Sequence, residues 1–445
     1  MEKVTTQSDF PFGDGRRVRA QFDAPEISSD GGAVLLRQAD RRLGLIESIA
    51  AVLPDSRDPR YVTQPLEDLV RQRVLQICLG YEDCNDATTL RGDPVLKTCC
   101  DRDPLLDPDL GSQPTLSRLE NTVGGKTCYR VGQVLLDSYI ARHTKRPRCI
   151  VLDLDTTDDP THGQQELSFF HGYYDERVYL PLLVFDQDGD LVTAVLQPGK
   201  PERGRVAAAI LKRVIVRLRD RWPGVPILIR GDSEFASPKI YWLCRRLRAD
   251  FLVGIGPNRR LKKLARQIEQ RARREFRRTG QKVRIFTSAS YRALKGWPRA
   301  YRVLIKAEHS SLGPNTRFVL TTLPGPAEDL YDRYVQRGES SENSIKDLKR
   351  ALKADRLSCH RFWSNQFRLF LHGAAYVLLF ELRHAARGTE LENAQMDTVR
   401  LRLLKVAAQV TSTARRIWFH LTSSNPWQAL WHLVARRLLD PQPFG

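Results

Sequence analysis

The chain has 445 residues, of which 41% are hydrophobic and 28% charged, so the composition excludes a disordered or fibrous protein. Its 71 Lys and Arg outnumber its 52 Asp and Glu, and the formal net charge at pH 7 is +19. An excess of this size favours a polyanionic partner, usually nucleic acid, although a soluble basic protein without such a partner would have the same charge.

The cysteines and the apolar segments indicate a cytoplasmic location. The eight cysteines form no CxxC pair, so we expect reduced, mostly buried thiols and no zinc site. Residues 1–17 lack the apolar core of a signal peptide. The stretch "LFLHGAAYVLLFEL" is too short to span a membrane and contains His372, so it is predicted to form a buried helix.

Residues 1–147 are predicted to form an all-helical N-terminal domain. Helical periodicity and helix start signals occur in "SSDGGAVLLRQADRRLGL", "QPLEDLVRQRVLQICLGY" and "SQPTLSRLENTV". No convincing series of strands interrupts them. From its position and its many arginines, we expect this domain to bind DNA.

The pattern changes to α/β at residue 148. Strand-like runs occur at "CIVLDLD", "VYLPLLVFD", "DLVTAVLQ", "PILIRGD" and "DFLVGIG". Helical runs, "RVAAAILKRVIVRLRDR" and "SPKIYWLCRRLR", separate the last three of these strands. The order predicts an antiparallel meander of three strands, which later strands join through crossover helices. We assign residues 148–258 to the first part of this core.

Residues 259–329 are predicted to be a basic, β-rich insertion. Between residues 259 and 278 there are ten Lys or Arg and two Glu, which predicts a helix lying along a phosphate backbone rather than an ordinary solvated helix. Its basic residues are Arg259, Arg260, Lys262, Lys263, Arg266, Arg271, Arg273, Arg274, Arg277 and Arg278. Strand-like runs then predict an inserted sheet, in which Trp297 either packs, the favoured alternative, or contacts an unstacked DNA base.

Two further segments complete the chain. Residues 330–385 are assigned to the second part of the core, with one long polar helix followed by an apolar one. Residues 386–445 form a basic C-terminal region that contains a strand-like piece, "RRIWFHLTSS".

Three acidic sites, the first of them a pair of aspartates, are candidates for chemistry. Asp153 and Asp155 point to one face of the first core strand, where burial of a carboxylate needs compensation. Asp232 ends the apolar strand in "ILIRGDSEF", and Glu342 lies on the helix of "RGESSENSIKDLKR". If these elements are neighbours, their carboxylates can hold Mg²⁺, and two such ions support phosphodiester cleavage.

Each acidic position also has an ordinary structural interpretation. The strand end that carries Asp155 can be a solvated edge, and Asp232 can form an Asx-turn or a helix cap. Glu342 can be an acid favoured by the helix dipole. The combination of all three in this strand order, within a basic chain, is what favours a catalytic site.

Sequence motifs over nearly the whole chain strengthen the catalytic interpretation. They are "SSDGGAVLL", "GYEDCNDATTLRGDP", "QPTLSRLEN", "LDLDTTDDPTHGQQE", "GDSEF", "RGESSENSIKDLK" and "LLKVAAQVTSTARRIWFHL". With these motifs the chain resembles bacterial insertion-sequence transposases of the Asp-Asp-Glu (DDE) type, specifically insertion-sequence family 1380, a relative of family 4.

The resemblance implies an RNase H-like core with a β-rich insertion before the glutamate. The implied catalytic and metal-binding residues are Asp155, Asp232 and Glu342. Asp155 is preferred because the related motif places its aspartate two residues before a threonine, here Thr157, and Asp153 is kept as the alternative.

The family 4 group also has a Tyr-Arg-Glu-Lys signature around the glutamate. The matching residues here are Tyr334, Arg337, Glu342 and Lys349, with an Arg-to-Glu gap one residue longer than in that signature. The implied role of Arg337 and Lys349 is to hold DNA phosphates, and Lys346 lies on the same helix face as Lys349. An exposed arginine without this role is the alternative for Arg337.

The implied function is metal-dependent cleavage at the ends of an insertion sequence, followed by transfer of the freed 3′-hydroxyl strand into target DNA. The implied cofactor is Mg²⁺, as two ions, with Mn²⁺ as a substitute. The implied partners are the terminal inverted repeats, target DNA and a second copy of the chain, in the bacterial cytoplasm at the nucleoid. A catalytically inactive DNA-binding regulator and an RNase H-like nuclease without strand transfer are the alternatives.

Overall fold

The computed structural model describes residues 7–10, 18–200, 204–293 and 296–440, so most of the segment 1–17 lies outside the described residues. The strands are β1 (Gln7–Phe10), β2 (Val18–Gln21), β3 (Ile27–Ser28), β4 (Ile150–Thr156), β5 (Asp159–Pro160), β6 (Phe169–His171), β7 (Glu176–Tyr179), β8 (Leu182–Asp186), β9 (Leu191–Val195), β10 (Ile227–Gly231), β11 (Asp250–Gly254), β12 (Val283–Tyr291), β13 (Tyr301–Ser310), β14 (Gly313–Thr321), β15 (Ala408–Thr413) and β16 (Arg416–Leu421).

The helices are α1 (Ala33–Leu43), α2 (Leu45–Val52), α3 (Leu66–Leu79), α4 (Asp86–Leu90), α5 (Pro94–Cys99), α6 (Gln113–Asn121), α7 (Gly125–Arg142), α8 (Arg205–Arg221), α9 (Pro238–Leu247), α10 (Arg259–Thr279), α11 (Ala327–Lys346), α12 (Phe362–Ala385), α13 (Met396–Val399) and α14 (Gln428–Leu439). Short 3₁₀ turns span Pro59–Tyr61 and Ser233–Phe235, and single π-helical turns span Asp347–Ala351 and Arg400–Leu404.

A central eight-stranded sheet has the order β12-β13-β14-β11-β10-β4-β8-β9. The meander predicted for the first core strands is confirmed, because β4 pairs antiparallel with β8 and β8 with β9. Strand β10 joins β4 in parallel through helix α8, and β11 joins β10 in parallel through α9. The run "VYLPLLVFD" forms two strands, since β7 pairs with β5 and β6 in a small separate sheet.

The insertion does not form a sheet of its own. Strand β14 pairs antiparallel with β11, so β12, β13 and β14 extend the central sheet at one side. Helix α10 packs on these added strands through its buried residues Leu261, Ala265 and Ala272. The sequence pattern showed three strands correctly, but it could not show that the last of them pairs with β11.

The two faces of strands β4 and β10 carry different layers. Leu152, Leu154 and Ile229 belong to a core that also contains buried residues of α8 and α9. On the opposite face, Val151 and Leu228 pack with buried residues of α11. Because side chains alternate along a strand, Asp153 and Asp155 lie on the face of β4 that α11 covers.

The N-terminal region is not all-helical, which corrects the prediction for residues 1–147. It begins with the β1–β2 hairpin, and β3 pairs with β15, with Ile27 opposite Gln409 and Ser28 opposite Ala408. A Cβ on Gly32 would lie 1.9 Å from the carbonyl oxygen of Leu403, so the glycine permits this close approach of two segments distant in the chain. Pairing between such distant segments leaves no periodicity that could have revealed it.

Helix α12 forms the buried centre of the helical layer. It packs against α3, α7 and β9, and most of its residues are buried, including His372. Burial lowers the pKa of the His372 imidazole, as expected for a neutral core histidine.

All eight cysteines are free thiols, six of them buried. Within the described parts of the chain, no helix is long and apolar enough to cross a membrane.

Candidate active site

Adjacent parallel strands place Asp155 and Asp232 at one edge of the central sheet. In the β4–β10 register Leu154 is opposite Gly231, and the two aspartates are the next residues of the chain after this pair. Because the carboxyl ends of parallel strands collect functional residues at one edge, the two carboxylates become neighbours there. They are close enough for the charge of Asp232 to raise the pKa of Asp155.

The Asp155 carboxylate is only partly compensated. Its side chain is 23% exposed, and its Oδ2 accepts a hydrogen bond of 3.2 Å from Nη1 of Arg337, which also donates to the Leu154 carbonyl oxygen at 3.4 Å. Burial raises the pKa of Asp155 to about 6, the guanidinium of Arg337 opposes that rise, and Asp232 adds to it. Two neighbouring acids at one sheet edge can be balanced by a cation.

Asp153 has a different environment from Asp155. It is fully buried, and its two oxygens accept hydrogen bonds of 2.6 Å each from Nε and Nη2 of Arg230, the residue opposite it on β10. Burial raises the pKa of Asp153, and Arg230 opposes the rise. Both carboxylate oxygens of Asp153 are therefore engaged in a closed ion pair, which leaves Asp155 as the more accessible of the two carboxylates.

Helix α11 positions Arg337 and Tyr334 above the sheet edge. The two residues are three apart, so they lie on one face of the helix, and the guanidinium carbon of Arg337 is 5.8 Å from the centre of the Tyr334 ring. A Cβ on Gly254, at the end of β11, would lie 2.6 Å from the Tyr334 hydroxyl. Gly254 therefore allows Tyr334 to sit beside Asp232, and burial raises the Tyr334 pKa.

Glu342 lies apart from the two aspartates. Its side chain is 69% exposed, and its carboxylate is 3.9 Å from Nζ of Lys346 one turn further on. Glu342 is five residues after Arg337, so the two side chains are separated by about 140° around the helix axis. The shorter gap of the family 4 signature would separate them by about 40°. Within the described residues, no group of three or more His, Cys, Asp or Glu is close enough to hold a metal ion.

Lys349 connects the helical layer to the segment that follows Asp155. It lies in the π-helical turn Asp347–Ala351, a type of turn found frequently at functional sites. Its Nζ donates to the carbonyl oxygen of Asp158 at 2.8 Å and lies 3.2 Å from the carboxylate of the same residue. The lysine is therefore close to the sheet edge.

The sequence reasoning missed Glu234. Its backbone N–H donates to Oδ1 of Asp232 at 2.9 Å, and its exposed carboxylate accepts a hydrogen bond from the Thr156 hydroxyl. These contacts place Glu234 next to Asp232 and next to the last residue of β4. The available signal was an acid two residues after Asp232, in the 3₁₀ turn Ser233–Phe235.

Helix α10 presents its basic residues to solvent. All ten Lys and Arg between residues 259 and 278 are exposed, whereas Glu269 accepts a hydrogen bond from Thr316 and Glu275 pairs with Arg278. The helix has 21 residues and is therefore about 31 Å long. The predicted basic helix is thus a continuous cationic surface.

Trp297 is a packing residue in this structure. Its side chain is 8% exposed, and its ring lies 5.0 Å from Tyr241, 5.4 Å from Tyr291 and 5.9 Å from Tyr301 between ring centres. A ring held within this cluster does not offer a face to a DNA base. Of the two alternatives for Trp297, the structure shows packing.

Comparisons with known proteins identify the family of the chain. The family model described as transposase DDE domain, group 1, matches residues 10–442. A cryo-EM structure of the piggyBac transposase synaptic complex with hairpin DNA is similar, with a TM-score of 0.45, 10% identity and coverage of 92% of this chain and 82% of that chain. No curated protein matches this chain. The match over residues 10–442 shows that the chain belongs to the DDE transposase family, group 1.

Proposed function

We propose that this protein cleaves the ends of an insertion sequence of family 1380 in a bacterial cell and transfers the freed 3′-hydroxyl strand into target DNA. The observation that carries the proposal is the pair Asp155 and Asp232 at adjacent strand ends, with Arg337 bound to Asp155. Carboxylates that hold metal ions can support phosphodiester chemistry, and the chain belongs to the DDE transposase family.

The carboxylate oxygens of Asp155 and Asp232 are the donor type that a hard divalent cation takes, and the described residues bring two acids, not three, to the sheet edge. Asp155 and Asp232 would hold Mg²⁺, with Mn²⁺ as a substitute and a second ion at the same edge, and Glu342 is the proposed third ligand. When bound, the metal would polarise the scissile phosphate and neutralise the carboxylates. The position of Asp155 and Asp232 at the adjoining ends of two paired strands is the observation that supports a cation here.

Arg337 and Lys349 would orient the DNA strand. A guanidinium that donates to a carboxylate can also donate to a phosphate, and Nη1 of Arg337 already donates to Asp155. The ammonium group of Lys349 lies next to Asp158, three residues after Asp155, where it can contact a neighbouring phosphate. Lys346, 45% exposed and one turn from Glu342, would add a further positive charge.

Helix α10 would bind the flanking duplex. Its exposed Lys and Arg side chains extend over a length close to that of nine base pairs of DNA, since each base pair rises about 3.4 Å. We propose that the N-terminal region recognises the terminal inverted repeats and that two chains hold two ends. The positive net charge supports DNA as the partner.

The test uses a labelled duplex that carries the end of the protein's own element, with Mg²⁺, and compares wild type with Asp232→Ala. Metal-dependent cleavage at the element boundary, abolished in the variant while the duplex is still bound, is expected. Joining of the cleaved strand to a second duplex would distinguish a transposase from an RNase H-like nuclease without strand transfer.

One observation favours a second candidate, a catalytically inactive DNA-binding regulator. Glu342 is exposed and separate from the two aspartates. Specific binding of the paired ends by wild type, without cleavage in Mg²⁺ or Mn²⁺, would support the regulator and reject the transposase.

A further inference from the structure

We propose that Arg230 is a positioning residue that fixes helix α11, and with it Arg337, relative to the strands that carry Asp155 and Asp232. The inference rests on the function proposed above and adds a residue to which the resemblance to insertion-sequence transposases gave no role. It is carried by the hydrogen bonds of a single buried guanidinium group.

The Arg230 side chain connects three elements at once. Its Nε and Nη2 each donate to Asp153 on β4 at 2.6 Å, and its Nη1 donates to the carbonyl oxygen of Arg333 on α11 at 2.8 Å. The side chain is 5% exposed and Asp153 is fully buried, so water does not compete for these bonds. One planar, rigid group therefore links β10, β4 and α11, and we call this arrangement the Arg230 clamp.

Each residue that the Arg230 clamp joins precedes a residue of the candidate active site on the same face of the same strand or helix. Asp153 is two residues before Asp155 and Arg230 is two before Asp232, which places each pair on the same strand face about 6.6 Å apart. On α11, Arg333 is four residues, about one turn, before Arg337. A shift of the clamp is therefore transmitted to Arg337 and both aspartates.

The chemistry of the clamp requires an arginine. A lysine offers a point charge on a flexible stem, so it cannot hold both oxygens of Asp153 and the Arg333 carbonyl in one plane. Stability alone does not require an ion pair here, because apolar residues of similar volume often replace such pairs without loss. What the ion pair adds is a defined distance between the helix and the sheet.

The chain offers a matched control. Arg142 on α7 binds Asp190, in the turn before β9, at 2.6 Å and 3.1 Å, and both side chains are 8% exposed. This pair has the same chemistry and similar burial as Arg230–Asp153. It joins elements that do not carry residues of the candidate active site.

The test compares Arg230→Met combined with Asp153→Leu against Arg142→Met combined with Asp190→Leu. We expect both double variants to fold and to bind the terminal-repeat duplex within about threefold of wild type. Only the first is expected to lose cleavage, by about 10²-fold, because a displacement near 1 Å at a reacting centre has an effect of that size. Cleavage within about threefold of wild type in the first double variant would overturn the proposal.

Single variants cover the case in which a double variant does not fold. Arg230→Lys keeps the charge and is expected to lower cleavage at least about tenfold and to weaken Mn²⁺ binding by calorimetry, with DNA binding retained. Arg142→Lys is expected to do neither. Equal losses in the two lysine variants would overturn a positioning role.

Failure of the proposed function would be recognised separately. If wild type does not cleave DNA, the transposase proposal fails, and the clamp is judged by Mn²⁺ affinity and by hydrogen exchange of the α11 amides in Arg230→Lys and Arg142→Lys. Faster exchange of α11 in Arg230→Lys alone supports the clamp. Exchange and Mn²⁺ affinity equal to those of wild type reject it.

Discussion

Two carboxylate–arginine pairs, whose aspartates are two residues apart on β4, have different environments. The inner pair, Asp153 and Arg230, is closed to water and bidentate at 2.6 Å. The outer pair, Asp155 and Arg337, is joined at 3.2 Å, its carboxylate is 23% exposed, and it faces the charge of Asp232. The same chemical groups thus form a fixed structural link at one level and an open, partly compensated site at the next.

The difference follows from charge balance at each level. At the inner level one guanidinium satisfies one carboxylate and a helix carbonyl. At the outer level Arg337 is shared between Asp155 and a backbone oxygen, while Asp232 adds a second negative charge. The inner level therefore determines position, and the outer level can exchange partners for a metal ion or a phosphate.

The largest expected effect separates the two aspartates by activity. Asp155→Asn is expected to lower cleavage of the terminal-repeat duplex by at least about 10³-fold, because the variant loses a metal ligand. Its melting temperature is not expected to fall, since burial disfavours the Asp155 charge that the amide removes. A variant that cleaves normally would show that Asp155 has no catalytic role.

The inner pair is expected to respond through stability. Asp153→Asn removes one partner of a buried ion pair and leaves Arg230 without its carboxylate, so we expect a decrease of about 3–5 kcal/mol in the free energy of unfolding. Urea denaturation of this variant beside Asp155→Asn measures the difference. Equal decreases in the two variants would remove the distinction between the levels.

Arg337 should affect chemistry more than DNA binding. Arg337→Gln is expected to lower cleavage about 10²-fold, the size of effect seen when one electrostatic donor to a reacting centre is removed. Single-turnover cleavage and duplex affinity are measured together. Arg333→Gln provides the control, because Arg333 contributes its backbone oxygen to the Arg230 clamp and keeps it after substitution.

Helix α10 supplies a third environment, in which the Lys and Arg side chains are exposed to solvent. Neutralising Arg266, Arg271, Arg273 and Arg274 to Gln should flatten the salt dependence of DNA binding by about 0.9 in the logarithmic slope for each DNA phosphate that the variant no longer neutralises. Cleavage at low salt should change less than the slope does. An unchanged slope would exclude α10 from the DNA interface.

The control for α10 neutralises the same number of exposed Lys and Arg side chains elsewhere. Lys239, Arg245, Arg246 and Arg248 lie on or just after α9 and are all exposed. If this set flattens the slope as much as the α10 set, net charge rather than a defined surface determines DNA affinity.

The smallest effect concerns pH. Because the folded-state pKa of Asp155 is raised to about 6, a metal ion must displace a proton below that pH. Mn²⁺ affinity measured by calorimetry should weaken by up to about tenfold per pH unit below about 6 and level off above it. The stability of the metal-free protein changes with pH in the opposite direction. Because the pKa of Asp155 is higher in the folded than in the unfolded state, the free energy of unfolding decreases as the pH rises from about 4 to about 6. Asp155→Asn should show neither dependence.

Local patterns in the sequence predicted the parts of this protein that depend on neighbouring residues. Alternation placed Asp153 and Asp155 on one face of β4, and the strand order predicted the meander. The charge run predicted α10 as an exposed basic helix, and apolar content predicted α12 as a core helix. These features follow from the periods of 2 and 3.6 and from solvation of charge, which the sequence contains directly.

Tertiary structure decided what depends on remote pairs. Pairing of β3 with β15 corrected the all-helical N-terminal domain, and pairing of β14 with β11 merged the insertion with the central sheet. The side chain of Arg230, which no periodic pattern identifies, distinguishes Asp153 from Asp155. Such contacts join residues far apart in the chain, and their energies depend on burial and distance, which only the folded arrangement sets.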